Sequence, residues 1–264
     1  MTDPRYAHLQ HIWRQLADDL TGVADSALLN FLNNLCKLFE GVDCQWYAGR
    51  RDVTPSDVFS LEIFAGWWIV DILKIKPATG SHEVIQKLFF ELIKKHGHDP
   101  LTMHAIKNAG KTRVHLRQDS VNDETWDQHW KYRHFLEPIY GVKERMHAIY
   151  TLNDDSEIYI LIDRAPDQPV FNEDDRALAY IAISGAVQLH RRLFFERGLL
   201  PPANKILAPR QKETFQLLLT DLSEKEIAQK LGVGTATAHQ YIAGLYTIFR
   251  VRGRSGFLSL CRQY

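Results

Sequence analysis

Apolar residues recur at three- and four-residue intervals through the first forty positions. Leu9, Ile12, Trp13, Leu16 and Leu20 form one series, and Leu28, Phe31, Leu32, Leu35, Leu38 and Phe39 form a second. That spacing keeps each series on one helical face, so residues 4–40 are predicted helical, with Gly41 as the stop. A short strand is predicted to begin at 44–47, followed by a loop at 52–57 carrying Thr54, Pro55 and Ser56. Residues 66–76 (GWWIVDILKIK) are aromatic and β-branched and predict a strand, closed by a turn at 77–80. Helical spacing returns at Val84, Leu88, Leu92 and Ile93 and ends at Gly97. Asp99-Pro100 opens a short helix to Gly110, and 112–116 alternates as a strand. Residues 123–140, with Trp126, Trp130 and Phe135, are predicted helical. Two strands follow, 144–152 and 157–163, joined by the turn Asn153-Asp154-Asp155. Met146, Ala148 and Tyr150 alternate there with Arg145, His147 and Ile149, which suits a sheet with unlike faces. Asn172 is an N-cap with acids behind it, and one long helix is predicted from there to about Arg197. Residues 198–204, with Pro201 and Pro202, form a linker.

Beyond the linker the pattern changes to short helices. Ser223 is an N-cap and Glu226 answers it three residues on, a capping box. Ile227, Ala228 and Leu231 give the helix its apolar stripe, and Gly232 ends it. A second helix starts near Gly234 or Thr235. Its apolar positions Ala238, Ile242, Leu245 and Phe249 leave His239, Gln240, Ala243 and Thr247 on another face. Two helices joined by a short glycine turn form the helix-turn-helix arrangement.

The segment 207–260, LAPRQKETFQLLLTDLSEKEIAQKLGVGTATAHQYIAGLYTIFRVRGRSGFLSL, resembles a LuxR-type (GerE-like) DNA-binding domain. The landmarks are Pro209-Arg210, the leucines 217–219, Lys225-Glu226-Ile227-Ala228, Leu231-Gly232-Val233, Thr237, Leu245 and Val251-Arg252-Gly253-Arg254. They fall in register over about a fifth of the chain. The resemblance implies base-facing positions at His239, Gln240 and Ala243. It implies phosphate contacts from Lys225, Thr235 and Thr237, with Arg250 and Arg252 as further candidates. Arg254 is expected to pair with Glu226 or Glu213. The sequence also departs from the family pattern. No Lys or Arg occurs from 234 to 249, Tyr241 replaces the usual histidine, and Gly244 and Ile248 stand where basic residues are common. Ala208 occupies a position where Ser or Thr normally caps the first helix. Weak binding by a monomer is therefore expected, offset in a dimer that reads two half-sites.

Charge separates the two parts. The whole chain balances 32 basic against 32 acidic residues, but 205–264 carries 9 against 4. A basic C-terminal module on an acidic body suits DNA binding joined to a different task. With 264 residues and 45% apolar content there is room for two cores, and no run of 18 apolar residues predicts a membrane span. The start MTDPRYAHLQ lacks a basic lead and apolar run, so no signal peptide is expected. Cys36, Cys44 and Cys261 lack metal-ligand spacing and are expected as free thiols in the cytoplasm, with a redox-sensing Cys36–Cys44 pair as the alternative.

The element order before the linker resembles a GAF-like or PAS-like sensor domain. The fold class expected is α+β: an antiparallel sheet with flanking helices over 1–197, a linker 198–204, and an all-α LuxR-type helix-turn-helix at 205–264. Trp67, Trp68, Trp126, Trp130 and Tyr150 are candidates to line a ligand pocket, their alternative place being the core. Leu178, Ile181, Ala182, Ala186, Leu189 and Leu193 would supply either a dimer stripe or cover for the sheet. The pairs His96/His98 and His129/His134 do not have metal-site spacing, and no phosphate loop or nucleophile motif is present. Neither a metal nor a cofactor is expected, and nothing argues catalysis. Some LuxR-type regulators sense acyl-homoserine lactones, and Asp99-Pro100 resembles an acidic-proline pair of theirs, without the aromatic signature upstream at 87–98. The favoured function is a dimeric, cytoplasmic transcriptional regulator that binds double-stranded DNA under control of a small-molecule signal or partner. The alternative is an interaction protein whose helix-turn-helix no longer binds DNA.

Overall fold

The computed structural model describes residues 3–20, 22–51, 61–64, 66–76, 82–203 and 205–264. The expected loop at 52–57 and turn at 77–80 lie outside the described residues. Two compact units emerge, the first running to Ala186 and the second comprising 22–25 and 187–264.

The first unit is built on a six-stranded antiparallel sheet of order β2-β3-β1-β6-β5-β4. The strands are β1 (Asp43–Arg51), β2 (Leu61–Phe64), β3 (Trp67–Lys74), β4 (Arg113–Leu116), β5 (Glu144–Asn153) and β6 (Ser156–Arg164). Side chains alternate between faces, so each strand delivers two kinds of residue. Cys44, Trp46 and Ala48 of β1, Met146 and Ala148 of β5, and Ile158, Ile160 and Ile162 of β6 are almost fully buried and apolar. The intervening positions Gln45, Tyr47, Arg145, His147, Tyr159 and Leu161 line a cavity on the opposite face. The unlike faces expected from the alternation in β5 are therefore present.

Helices α1 (Arg5–Asp19) and α2 (Ala24–Leu38) divide the predicted 4–40 helix, and α7 (Glu173–Gly185) lies against β4, β5 and α1. The cavity side carries α3 (His82–His96), α4 (Pro100–Lys107) and the chain from α5 (Asp123–Gln128) to α6 (Glu137–Tyr140). The 123–140 segment is not one helix. His129 turns to extended backbone after α5, a π-turn spans Tyr132–Leu136, and Gly141 stops α6 in the left-handed region at φ 64°. That breakage folds Trp126, Trp130, Tyr132 and Phe135 into one cluster with Leu92 and Leu101.

The long helix predicted from Asn172 is also broken, between α7 and α8 (Val187–Glu196). At Gly185, just before the break, the Trp13 ring occupies the space a side chain would need. An added Cβ would lie 2.3 Å from that ring. Helix α8 belongs to the second unit, ahead of the expected linker, because its Phe195 enters that unit's aromatic core. Phe195 stacks on Tyr264 at 4.3 Å and packs on Phe249 at 4.9 Å. Phe215 and Phe257 complete the cluster at 4.9 Å from each other. Of the stripe expected to dimerise or cover the sheet, Leu178, Ala182, Ala186, Leu189 and Leu193 are buried within the chain and only Ile181 is exposed.

Gly185→Ala should lower stability by about 1–3 kcal/mol, because the well-packed Trp13 must move. Thermal melting of Gly185→Ala, with and without Trp13→Leu, tests this. An unchanged melting temperature in the single variant, or no partial recovery in the double, would sink the packing account.

Candidate ligand cavity and two-helix surface

The cavity of the first unit has a volume of about 150 Å³. Its apolar lining comes from Ile69 and Ile72 of β3, Ile85 and Phe89 of α3, Leu101 and Ile106 of α4, Phe135, and Leu161. About half of the lining residues are polar, and they are of distinct kinds, which gives a small molecule both apolar walls and fixed polar contacts. Asp99 is the N-cap of α4, accepting from the Thr102 backbone N–H at 3.1 Å and its hydroxyl at 2.8 Å. It also pairs with the buried Lys131 ammonium at 3.2 Å. Burial pushes the Asp99 carboxyl upward, but Lys131 and the Thr102 donors override it and hold it below the usual carboxylate range. The Lys131 ammonium lies 4.1 Å from the Phe89 ring centroid and 5.2 Å from that of Phe135, a cation in an aromatic surround.

Arg145 is committed to Asp163 by two hydrogen bonds of 2.7 Å, a buried fork-to-fork pair. Asp43 accepts from the Gln45 side chain at 2.7 Å and the Cys44 backbone at 2.9 Å. His147 is buried among these charges; desolvation, with Arg145 nearby, keeps it well below its ordinary pKa and hence neutral. Lys74 differs from the other cations. Its ammonium donates to the Tyr140 hydroxyl at 3.2 Å and sits 5.0 Å from that ring, and it has no carboxylate partner among the described residues.

A register shift explains how Lys74 reaches the cavity. On β3, Ile69 pairs with Gly49, yet Asp71 pairs with Ala48 and Ile72 with Tyr47. One extra residue, Val70, is accommodated there, so the inward parity changes from odd to even along β3. Ile69 faces the cavity before the bulge, and Ile72 and Lys74 face it afterwards. Strict alternation would have turned Asp71 and Leu73 inward instead.

None of the five aromatic residues proposed from sequence stands among the cavity-lining residues. Trp67 is core, packed with Ile149, Tyr159 and Leu161, and Trp68 is half-buried beside it. Trp126 is fully buried and donates its indole N–H to the Lys143 carbonyl at 3.0 Å. Trp130 is buried in the neighbouring cluster, and Tyr150 is half-buried on β5 opposite Ile158. The lining residues that sequence reasoning passed over, Gln45, Lys74, Lys131, Tyr140 and Arg145, carry the polar chemistry. Their signal was polar residues interrupting otherwise apolar elements. Among the described residues no group of His, Cys, Asp and Glu could hold a metal ion. His96 instead stacks on Trp130 at 6.1 Å and His129 on Trp126 at 5.7 Å. Cys36 and Cys44 are buried free thiols, and burial pushes Cys36 up to about 11.

In the second unit, α9 (Pro209–Leu218), α10 (Glu224–Leu231), α11 (Thr235–Ile248) and α12 (Arg254–Cys261) surround the phenylalanine core. Ser223 caps α10 and Glu226 returns the bond at 2.8 Å. Gly232 ends α10 in the left-handed conformation at φ 66°, and only Val233 and Gly234 separate it from α11. Ala238, Ile242, Leu245 and Ile248 are buried, while Thr235, His239, Gln240 and Ala243 are exposed and Thr237 is half-buried. Lys225 is exposed on α10. His239 is engaged: its Nδ1 lies 3.0 Å from a Glu224 oxygen. The expected pairing of Arg254 with Glu226 or Glu213 is not what forms. Arg254 donates to the carbonyls of Leu218, Thr220 and Leu222, closing the C-terminal end of α9, while Glu213 pairs with Arg210 at 2.7 Å. Ala208 leaves the α9 N-cap without a side-chain acceptor, although Gln211 accepts from its backbone N–H at 3.0 Å.

No protein-family model matches the chain, and no curated protein sequence matches it. Solved structures do. SdiA in complex with octanoyl-rac-glycerol superposes with a TM-score of 0.50 at 11% identity, covering 99% of this chain and 95% of that one. A second crystal structure of SdiA, from Escherichia coli, gives 0.48 at 11% identity, over 95% of this chain and 94% of that one. CepR2 from Burkholderia cenocepacia, an N-acylhomoserine lactone dependent LuxR family transcription factor, gives 0.45 at 12% identity, over 74% of this chain and 99% of that one. At this level of identity the first of these matches shows a likeness of fold to the SdiA structure.

Replacing Asp99 by Asn keeps a capping oxygen for α4 but leaves the Lys131 ammonium buried without its counter-ion. The expected loss is about 3–5 kcal/mol at neutral pH. Denaturant titration of Asp99→Asn and of Asp99→Asn with Lys131→Met measures it. The double variant should recover most of the loss; if it is no more stable than the single one, the ion pair is not what the site depends on.

Proposed function

We propose that the protein is a LuxR-type transcriptional regulator. Its first unit acts as a GAF/PAS-like sensory domain holding a small, mostly apolar ligand in the cavity, and 205–264 acts as a helix-turn-helix that reads DNA as a homodimer. The observation that carries this reading is the α10–Gly232–α11 arrangement. It buries one face of α11 and leaves Thr235, His239, Gln240 and Ala243 outward on the basic part of the chain. Gln240 suits a bidentate contact with an adenine edge, Ala243 suits a thymine methyl, and Lys225 suits a phosphate. The cavity supports the sensory half, and the SdiA structure of the same fold holds octanoyl-rac-glycerol. A ligand would act by binding one of two conformations more tightly, and DNA would then change ligand affinity by the same factor.

The absence of Lys and Arg from 234 to 249 favours a second reading, in which the two-helix unit docks protein rather than DNA. Selection of full-length protein against a random duplex library, at low and moderate salt, separates the two. A dimeric regulator enriches a near-palindromic site whose affinity falls steeply with salt. Gln240→Ala should relax one position of that site, at about 1–3 kcal/mol, whereas Lys225→Ala should weaken all sites alike. Recovery of no sequence at low salt, by the full chain and by 187–264 alike, would support protein docking.

A further inference from the structure

Lys74 places a cation on the wall of a mostly apolar cavity, and the neighbouring carboxylates are committed elsewhere. Asp163 is forked onto Arg145, Asp43 is held by Gln45 and the Cys44 backbone, and Asp99 is paired with Lys131. The only hydrogen-bond partner of the Lys74 ammonium among the described residues is the neutral Tyr140 hydroxyl. That hydroxyl oxygen accepts a hydrogen bond from the ammonium, which leaves its own O–H to donate. Lys74 and Tyr140 therefore present two donors to the cavity. A desolvated cation without a counter-ion is costly, and a partner able to supply one gains what the protein has not supplied.

We infer that the cavity selects a monocarboxylate with an apolar body, its carboxylate accepting from the Lys74 ammonium and the Tyr140 hydroxyl. This rests on the cavity being the signal site. The apolar walls at Ile69, Ile72, Leu101, Ile106, Phe135 and Leu161 suit an acyl chain or an aromatic ring equally. The bulge at Val70 fits the same assignment, since it turns Lys74 inward in place of the Asp71 carboxylate. The charges around the ammonium come from three strands and α6. Arg145 repels it, Asp43 and Asp163 attract it at a distance, and Tyr47 and Tyr140 offer ring faces at 6.0 and 5.0 Å. Burial, reinforced by Arg145, brings Lys74 down to about 8. Burial pushes both tyrosines upward, so neither ionises before Lys74 does. Carboxylate affinity should accordingly be highest below pH 8 and fall as pH rises through that value, while affinity for a neutral analogue stays level.

The test is calorimetric titration of the full-length protein with octanoate and octanamide, and with 3-phenylpropanoate and its primary amide. Each acid should bind on the order of tenfold tighter than its amide at pH 7. The two bodies report whether a chain or a ring is preferred. Lys74→Met should abolish the acid's advantage while leaving amide binding in place, and Lys74→Arg should retain much of it. Because Lys74→Met removes a desolvated charge, its melting temperature in the absence of ligand should equal or exceed that of the parent, which guards against misfolding as the cause. Amides binding as tightly as acids, or an acid preference that survives Lys74→Met, would overturn the carboxylate assignment and leave the cavity as a neutral-ligand site. If neither acids nor amides bind, the sensory reading of the cavity falls with it.

Discussion

The alternation of side chains across the six-stranded sheet is the constraint on which the first unit depends. One face can be apolar and the other mixed only while every strand keeps register with its neighbours. β1 and β6, and β5 as far as Thr151, keep it, so Trp46, Met146 and Ile160 serve one core while Tyr47, His147 and Tyr159 stand on the cavity side. β3 keeps it only up to Val70. Past the bulge the face exchange is complete, and the charge the cavity receives from this strand changes sign, from the carboxylate of Asp71 to the ammonium of Lys74. A single accommodated residue in an outer strand thus sets the electrostatics of a site that the inner strands shape.

Buried charge in this unit is organised in closed pairs. Arg113 meets Glu157 at 2.8 Å, Arg117 meets Glu144 at 3.0 Å, and Arg145 meets Asp163 at 2.7 Å. Arg145–Asp163 joins the neighbours β5 and β6, Arg113–Glu157 reaches from β4 past β5 to β6, and Arg117–Glu144 ties the chain leaving β4 to β5; some members add bonds to backbone groups. Glu157, for example, also accepts from the Gly110 N–H and the Tyr159 hydroxyl. Such pairs contribute little net stability over an apolar substitute, but breaking one leaves a stranded charge. They therefore hold register more than they add free energy. Among the described residues Asp43 and Lys74 stand outside that pattern: Asp43 is satisfied by Gln45 and the Cys44 backbone, whereas Lys74 has only the neutral Tyr140 hydroxyl.

Much of this was legible in the sequence. Helical spacing placed α1, α2, α3 and the pair α10–α11, and alternation in 144–163 gave the hairpin and the unlike faces of β5. Ser223, Glu226 and Gly232 marked α10 because capping is local chemistry. What escaped depended on distant contacts. The end of α7 beside Trp13 and the breakage of 123–140 are tertiary decisions that no local period records. The tryptophans were the plausible pocket lining, since large rings line many sites, yet Trp67, Trp126 and Trp130 lie in the neighbouring clusters, while Phe89 and Phe135 face in together with the polar residues. Lys74 was indistinguishable from any strand-end lysine, because the bulge that turns it inward has no signature in GWWIVDILKIK.

A cavity that holds a desolvated cation couples ligand to fold in a defined direction. With no counter-ion among the described residues, the folded state bears the cost of Lys74, and an unfolded chain does not. The cost is present at neutral pH and is relieved as pH rises from about 8 towards the ordinary lysine value, so stability contributed at this site increases over that window. A ligand anion relieves the same cost at neutral pH and so stabilises whichever conformation closes the cavity around it. The gain follows RT ln(1 + [L]/Kd), about 2.7 kcal/mol at a hundredfold excess over Kd. In the proposed regulator, only the part of that gain that differs between DNA-competent and DNA-incompetent conformations could regulate. The second unit exposes Lys225 and Lys230 on α10 and Arg250 and Arg252 after α11 but has no basic residue within α11, so in the proposed DNA-binding role the electrostatic attraction would come from around α11, not from it. For the proposed dimeric regulator, a ligand-driven shift in how two copies are presented would change DNA affinity by no more than that coupling free energy.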